Sequence, residues 1–170
     1  TVTNCNFTGN TAGDGGGAIM FVNTGTVSNC NFTDNSATVN GGAVRMYSGT
    51  VLNCNFTDNS ARNGGAVYFY DEGSVSNCNF TGNNATTGSA IYLYKGDSSD
   101  TLTVSNSTFL NNRANAGALN VVKNDNNITI TFTGRNNLLN AIYSPDEVTF
   151  TNVTYWGANG ITTISATRSV

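Results

Sequence analysis

The sequence predicts an all-β chain wound as a right-handed, single-stranded parallel β-helix of about seven coils, 23–29 residues per coil, over residues 1–157. Three observations predict it. An aromatic motif recurs near every 24 residues, a glycine-alanine motif follows it at a near-constant distance, and apolar residues alternate with variable ones after each alanine. Self-similarity at a fixed short period is the signature of a solenoid.

The aromatic motif reads Phe7-Thr8-Gly9-Asn10, Phe32-Thr33-Asp34-Asn35, Phe56-Thr57-Asp58-Asn59, Phe80-Thr81-Gly82-Asn83 and Phe109-Leu110-Asn111-Asn112, with rings at intervals of 25, 24, 24 and 29. Phe132 and Tyr155 continue the series, each 23 residues on. The second motif reads Gly16-Gly17-Ala18-Ile19, Gly41-Gly42-Ala43-Val44, Gly64-Gly65-Ala66-Val67, Ser89-Ala90-Ile91, Ala116-Gly117-Ala118-Leu119 and Asn140-Ala141-Ile142. The long interval is accounted for by an insertion, Lys95 to Asp100, of the kind that projects from one face of a solenoid. Residues 158–170 are expected to form a C-terminal tail or the start of a linker to a following domain.

Strands must carry the repeat, because helical repeats need two amphipathic helices in roughly 33–47 residues. Leucine-rich repeats share the period, but Leu is scarce here. After each Ala, the positions of Ile19, Val44, Val67, Ile91, Leu119 and Ile142 are always apolar and face in, while Met20, Arg45, Tyr68, Tyr92, Asn120 and Tyr143 vary and face out. By the same parity Cys5, Cys30, Cys54 and Cys78 share the buried face with the Phe two residues later, and the Asn between them points outward. A few apolar groups per coil, worth ~1.5–3 kcal/mol each, do not outweigh a backbone entropy cost of ~1–2 kcal/mol per residue, so no coil stands alone. Rungs must stack ~4.8 Å apart. The column Asn10, Asn35, Asn59, Asn83 and Asn112 is placed at a corner where Asn tolerates a left-handed turn and bonds the identical amide on the next rung. The glycines before Ala permit positive φ or close backbone approach at another corner.

Composition excludes several classes of function. Lys and Arg number 7 against 10 Asp and Glu, which leaves no basic footprint for nucleic acid. No run of 18 apolar residues suggests direct membrane insertion. The chain opens Thr1-Val2-Thr3 and is expected to be a piece of something longer. His is absent, and no cofactor is expected.

Four kinds of candidate position remain. Alternation sends Tyr68, Tyr70, Tyr92 and Tyr94 outward on consecutive rungs, with Arg45 and Tyr47 on the rung before, as a ligand-binding patch of rings that carry hydroxyls at their edges. The competing explanation is strand propensity and cross-rung stacking. Asp34 and Asp58 occupy one position on adjacent rungs, either as solvated turn residues or as a weak Ca²⁺ site. Sequons for N-glycosylation occur at Asn6, Asn31, Asn55, Asn79, Asn84, Asn106, Asn127 and Asn152; four of them arise automatically from the Asn-Phe-Thr repeat, whose outward Asn column is too crowded for a glycan on every rung. The four Cys are expected to be buried free thiols, since parallel rungs hold their Cβ atoms farther apart than the ~3.8 Å an unstrained disulfide prefers.

The paired signatures, as in Phe56-Thr57-Asp58-Asn59 with Gly64-Gly65-Ala66-Val67, resemble the repeats of the chlamydial polymorphic membrane proteins. They are still more similar to the β-helix adhesin-like proteins of methanogenic archaea, and Asn152-Val153-Thr154-Tyr155-Trp156-Gly157 resembles the segment that ends the β-helix in those proteins. The resemblance implies an extracellular, cell-surface location and attachment to a cell-surface protein or glycan. Two other functions stay open: a filament or sheath subunit that self-associates end to end, and a polysaccharide lyase or hydrolase on the same fold. No catalytic residue is assigned: Asp34 and Asp58 could form a carboxylate pair ~5 Å apart, but Gly9 and Gly82 hold that position on the flanking coils, and no Lys or Arg converges on the acidic pairs Asp71-Glu72 and Asp146-Glu147.

Overall fold

The computed structural model describes residues 1–94 and 101–114 and, beyond them, the strands Leu119–Val122, Thr129–Thr133, Asn136–Leu139, Val148–Phe150, Val153–Gly157 and Gly160–Ile161. Among the described residues there is no helix. The chain is a parallel β-solenoid. Each of the first three coils carries an Asn-Phe-Thr strand, a short corner strand, a strand that follows Gly-Gly-Ala, and a strand built on Gly-x-Val, and later coils keep the same pairing with Leu102 at the last Gly position. These are called the Phe, corner, Ala and Val strands. In the first two coils the last two are one continuous strand, Ile19–Ser28 and Val44–Leu52.

Register is set by the repeat. Phe7 pairs with Phe32, Phe32 with Phe56, Phe56 with Phe80 and Phe80 with Phe109, which defines four full turns. The five rings stack at centroid separations of 5.0, 4.8, 4.9 and 5.0 Å, one per rung. Phe32, Phe56, Phe80 and Phe109 are buried, as are Cys30, Cys54 and Cys78 beside them and Val44, Val67 and Ile91 across the lumen. The inward half of the alternation is as expected from the sequence.

Two irregular intervals now have locations. The 25-residue first period comes from a bulge: Phe21 pairs with Met46 and Thr24 with Ser48, so Val22 and Asn23 stand opposite Tyr47 alone. The insertion from Lys95 to Asp100 lies outside the described residues, between Tyr94 at the end of an Ala strand and Thr101 at the start of a Val strand.

Beyond the fourth turn the expected register is corrected. Phe109 pairs with Leu138, not Phe132, and Leu138 pairs with Tyr155. Phe132 belongs to the Val strand, where it pairs with Val104 and Phe150. Alternation in Thr129-Ile130-Thr131-Phe132-Thr133 matches the Val strand below it residue for residue, and this outweighs the coincidence of one aromatic at the right interval. Ile142, expected on the Ala strand of the sixth coil, lies outside the described residues.

The corners are also redistributed. Asn35, Asn59, Asn83 and Asn112 are buried, and none has positive φ. The left-handed residue is the one before: Gly9, Asp34, Asp58, Gly82 and Asn111, at φ 66, 55, 54, 67 and 55°. Asn lies inside because the turn has already been made, and its amide then serves the backbone of its neighbours. A second left-handed corner, Asn4, Asn29, Asn53, Asn77 and Asn106, precedes each Cys or Ser107. The paired glycines divide the two roles expected of them. Gly16, Gly41 and Gly64 take positive φ, and a Cβ on Gly17, Gly42 or Gly65 would collide with the carbonyl oxygen of the next rung.

Candidate functional site

The outward side of the Ala strands holds the tyrosines in two columns. Arg45, Tyr68 and Tyr92 pair rung to rung, followed by Asn120. The second column is Tyr47, Tyr70 and Tyr94, which continues the same ladder through the Tyr70 N–H donated to the Met46 carbonyl at 3.0 Å.

The first column is not the open patch that alternation predicts. Tyr68 and Tyr92 are only 4% and 7% exposed. Their rings stack at 5.3 Å with planes 9° apart, and the Arg45 guanidinium lies 6.0 Å from the Tyr68 centroid on the other side. Tyr68 is thus held between a ring above and a cation below. Burial, with Tyr92 alongside, pushes its hydroxyl well above the usual tyrosine range, and burial does the same for Tyr92. Arg45 is itself anchored: its Nη1 donates to the Asp14 carboxylate at 2.6 Å, and its stem runs over Gly15, where a Cβ would meet Arg45 Cδ.

The second column is accessible. Tyr47 is 45% exposed, and Tyr70 and Tyr94 are half-buried. Tyr47 and Tyr70 stack at 5.1 Å, and Tyr94 tilts 47° from Tyr70 at the same separation. Because the rings face one another along the axis, what projects is a row of ring edges and hydroxyls at the rung spacing. Met20 and Val22, on the coil below, add exposed apolar surface at 49% and 71%.

Next to this column, where the Ala strand bends into the Val strand, lies a cleft of about 340 Å³. Thr24, Ser48, Thr50, Ser74 and Thr103 line it with hydroxyls, Gly49 and Gly73 form part of its floor, and Glu72 supplies a carboxylate. Thr24 and Ser48 hydroxyls are 3.0 Å apart. The bend needs glycine because a Cβ at Gly25 or Gly73 would enter the inward ring of Phe21 or Phe69. The cleft residues were legible as a third repeat, Gly25-Thr26-Val27, Gly49-Thr50-Val51 and Gly73-Ser74-Val75, but the alignment on Phe and Ala passes over it.

Asp34 and Asp58 are exposed at their left-handed corner, in a column with Gly9, Gly82 and Asn111. That company identifies tolerance of positive φ as the shared requirement. Among the described residues no group of three or more His, Cys, Asp or Glu is placed to hold a metal ion. Of the sequons, Asn6, Asn31, Asn55, Asn79, Asn84 and Asn106 are exposed, while Asn127 and Asn152 lie outside the described residues. Asn31, Asn55 and Asn79 each donate an amide hydrogen to the Oδ1 of the rung below at 2.8 Å.

Comparison with curated proteins and with solved structures gives no match. The family model described as "Right handed beta helix region" matches residues 1–109, which takes in every ring of the stacked Phe column. The chain therefore belongs to the right-handed beta helix family.

Proposed function

We propose that this chain is an attachment module of an extracellular, adhesin-like surface protein, and that it holds a cell-surface glycan in the cleft beside the Tyr47, Tyr70 and Tyr94 column. The observation that carries this is the adjacency of the two features: a row of aromatic edges and hydroxyls at one per rung, against a groove lined by Thr and Ser. Aromatic groups that combine an apolar body with a polar edge suit sugar recognition, and converging hydroxyls fix orientation. Attachment is favoured over hydrolysis because, among the described residues, Glu72 is the one carboxylate lining the cleft, whereas acid-base glycoside cleavage uses a pair.

The test is a printed array of neutral and acidic oligosaccharides probed with the chain and with a Tyr47→Ser, Tyr70→Ser double variant. Binding by the parent chain and at least tenfold weaker binding by the variant, at a matched melting temperature, are expected. Equal binding by both would remove the assignment.

A further inference from the structure

We propose that the outer face of the Phe sheet is a second docking face, for an extended uncharged polysaccharide lying along the helix axis. The face is a lattice. Asn4, Asn6 and Thr8 on the first rung recur in register up to Asn77, Asn79 and Thr81 on the fourth, over about 14 Å at the usual rung spacing. All three Asn and Thr positions of each rung are exposed or half-buried, and no charged residue interrupts them.

The chemistry offered to a ligand is the same on every rung. In the Asn6, Asn31, Asn55 and Asn79 column each inner amide gives one N–H to the rung below and one lone pair to the rung above, at 2.8 Å. An amide has two of each, so one donor and one acceptor per rung remain for an outside partner. Asn53 and Asn77 repeat this in the neighbouring column, donating to Asn29 and Asn53 at 3.1 Å. The Thr column adds a hydroxyl. The ladder bonds hold these groups in one orientation, so little ordering cost falls on binding.

A periodic surface selects a periodic ligand, since each further matched unit adds to the avidity without new kinds of contact. The columns themselves carry no charge. The exposed Asp34 and Asp58 that follow Thr33 and Thr57 disfavour a polyanion, and two carboxylates on four rungs are too sparse to match a polycation charged on every unit. A protein partner is disfavoured because its interface would need buried aromatic or apolar anchors, and the four rungs offer none; Leu110, 38% exposed, stands on the fifth. An uncharged polymer with hydroxyls on every unit meets both conditions.

The probes are microcrystalline cellulose and chitin, in co-sedimentation with the full chain, and soluble oligosaccharides of two to six units from each. The chain should sediment with at least one of them, equally in low and high salt, with affinity rising along the oligosaccharide series. A Thr33→Lys, Thr57→Lys double variant should bind at least tenfold more weakly at an unchanged melting temperature. Thr57→Ala, which only removes a hydroxyl, should lose less and guards against misfolding of the first variant. The Tyr47→Ser, Tyr70→Ser variant should bind these probes normally, which separates this face from the tyrosine cleft. Absence of binding to both solids, undiminished binding by the lysine variant, or glycans on Asn31, Asn55 and Asn79 of natively produced chain would each overturn the proposal. So would a dimer of the parent chain that the lysine variant dissolves, because the occupant would then be a second copy.

Discussion

The side-chain amide of Asn59 is saturated by its neighbours: its Nδ2 donates to Asn83 Oδ1 on the next rung and to the Phe32 carbonyl, both at 3.0 Å. Its Oδ1 accepts the backbone N–H of Asn35 at 3.0 Å and the Asn35 Nδ2 at 2.9 Å. Four bonds on one fully buried residue make it a rivet between rungs. Asn59→Ala would leave the two donors of Asn35 and the Phe32 carbonyl without partners, at about 1–3 kcal/mol for each buried group not rescued by water. A loss of at least ~3 kcal/mol in urea unfolding is expected. Asn59→Asp should cost more, because the added oxygen faces two acceptors and carries charge into the interior.

Much of this was readable in the chain. The Phe interval, the Gly-Gly-Ala motif and the inward parity of Val44 and Met46 follow from a repeat that cannot bury itself except by stacking. Three things were not. Leu138 succeeds Phe109 because register answers to a whole strand's alternation, and one aromatic at the right interval, Phe132, is a weaker signal. Asn35 carries no mark that separates it from Asp34 as the turn residue, since both tolerate positive φ; only the accounting of backbone donors decides. Tyr68 points away from the lumen yet is buried, because parity gives direction and says nothing of what lies alongside.

The thiols should behave as structural hydrogen-bond donors. Cys30, Cys54 and Cys78 each donate to the carbonyl two residues earlier, at 3.1 Å, and Ser107 does the same from the next rung at 2.9 Å. All four cysteines are free. Burial pushes the Cys30 thiol up; the neighbouring Cys54 thiol together with burial pushes Cys78 up, while Cys78 pulls Cys54 down, so Cys54 is protected by its burial. With native protein, Ellman's reagent should modify the half-buried Cys5 first and the other three only on unfolding. Cys54→Ser should fold with a loss under about 1.5 kcal/mol, Ser107 being the precedent. Rapid native modification of Cys54 or Cys78 would contradict this.

Gly42 and Gly13 should respond to alanine in opposite directions. A Cβ at Gly42 would enter the carbonyls of Gly65 and Ser60, whereas at Gly13 it meets nothing within 4 Å, and Gly13 has no positive φ. Gly13→Ala is expected to raise stability by about 0.4–1 kcal/mol through the unfolded chain, and Gly42→Ala to prevent cooperative folding or cost several kcal/mol. On the fourth coil the equivalent position is Ser89, whose Oγ is the one buried side-chain oxygen or nitrogen without a hydrogen bond among the described residues. Ser89→Gly should therefore cost less than about 1 kcal/mol or stabilise, because it removes that orphan while losing some backbone rigidity.

Alkaline pH should find the Tyr68 and Tyr92 pair. Both hydroxyls ionise above the ordinary tyrosine value of about 10, with burial as the chief cause in each. A folded-state value raised above the unfolded one means that the native state holds its protons more tightly. The stability this represents is fully present below pH ~10 and is lost as pH rises from there towards the folded value, where the unfolded chain has already ionised. The melting temperature should accordingly stay level through pH 9 as far as these two groups are concerned, then fall. In Tyr68→Phe the fall should be shallower, because one of the two raised hydroxyls is gone while the stacked ring remains. Absorbance at 295 nm should show Tyr68 and Tyr92 ionising only as the fold is lost. Reversible ionisation of Tyr68 and Tyr92 near pH 10, with the fold intact, would show that the pair is as open as alternation alone suggests.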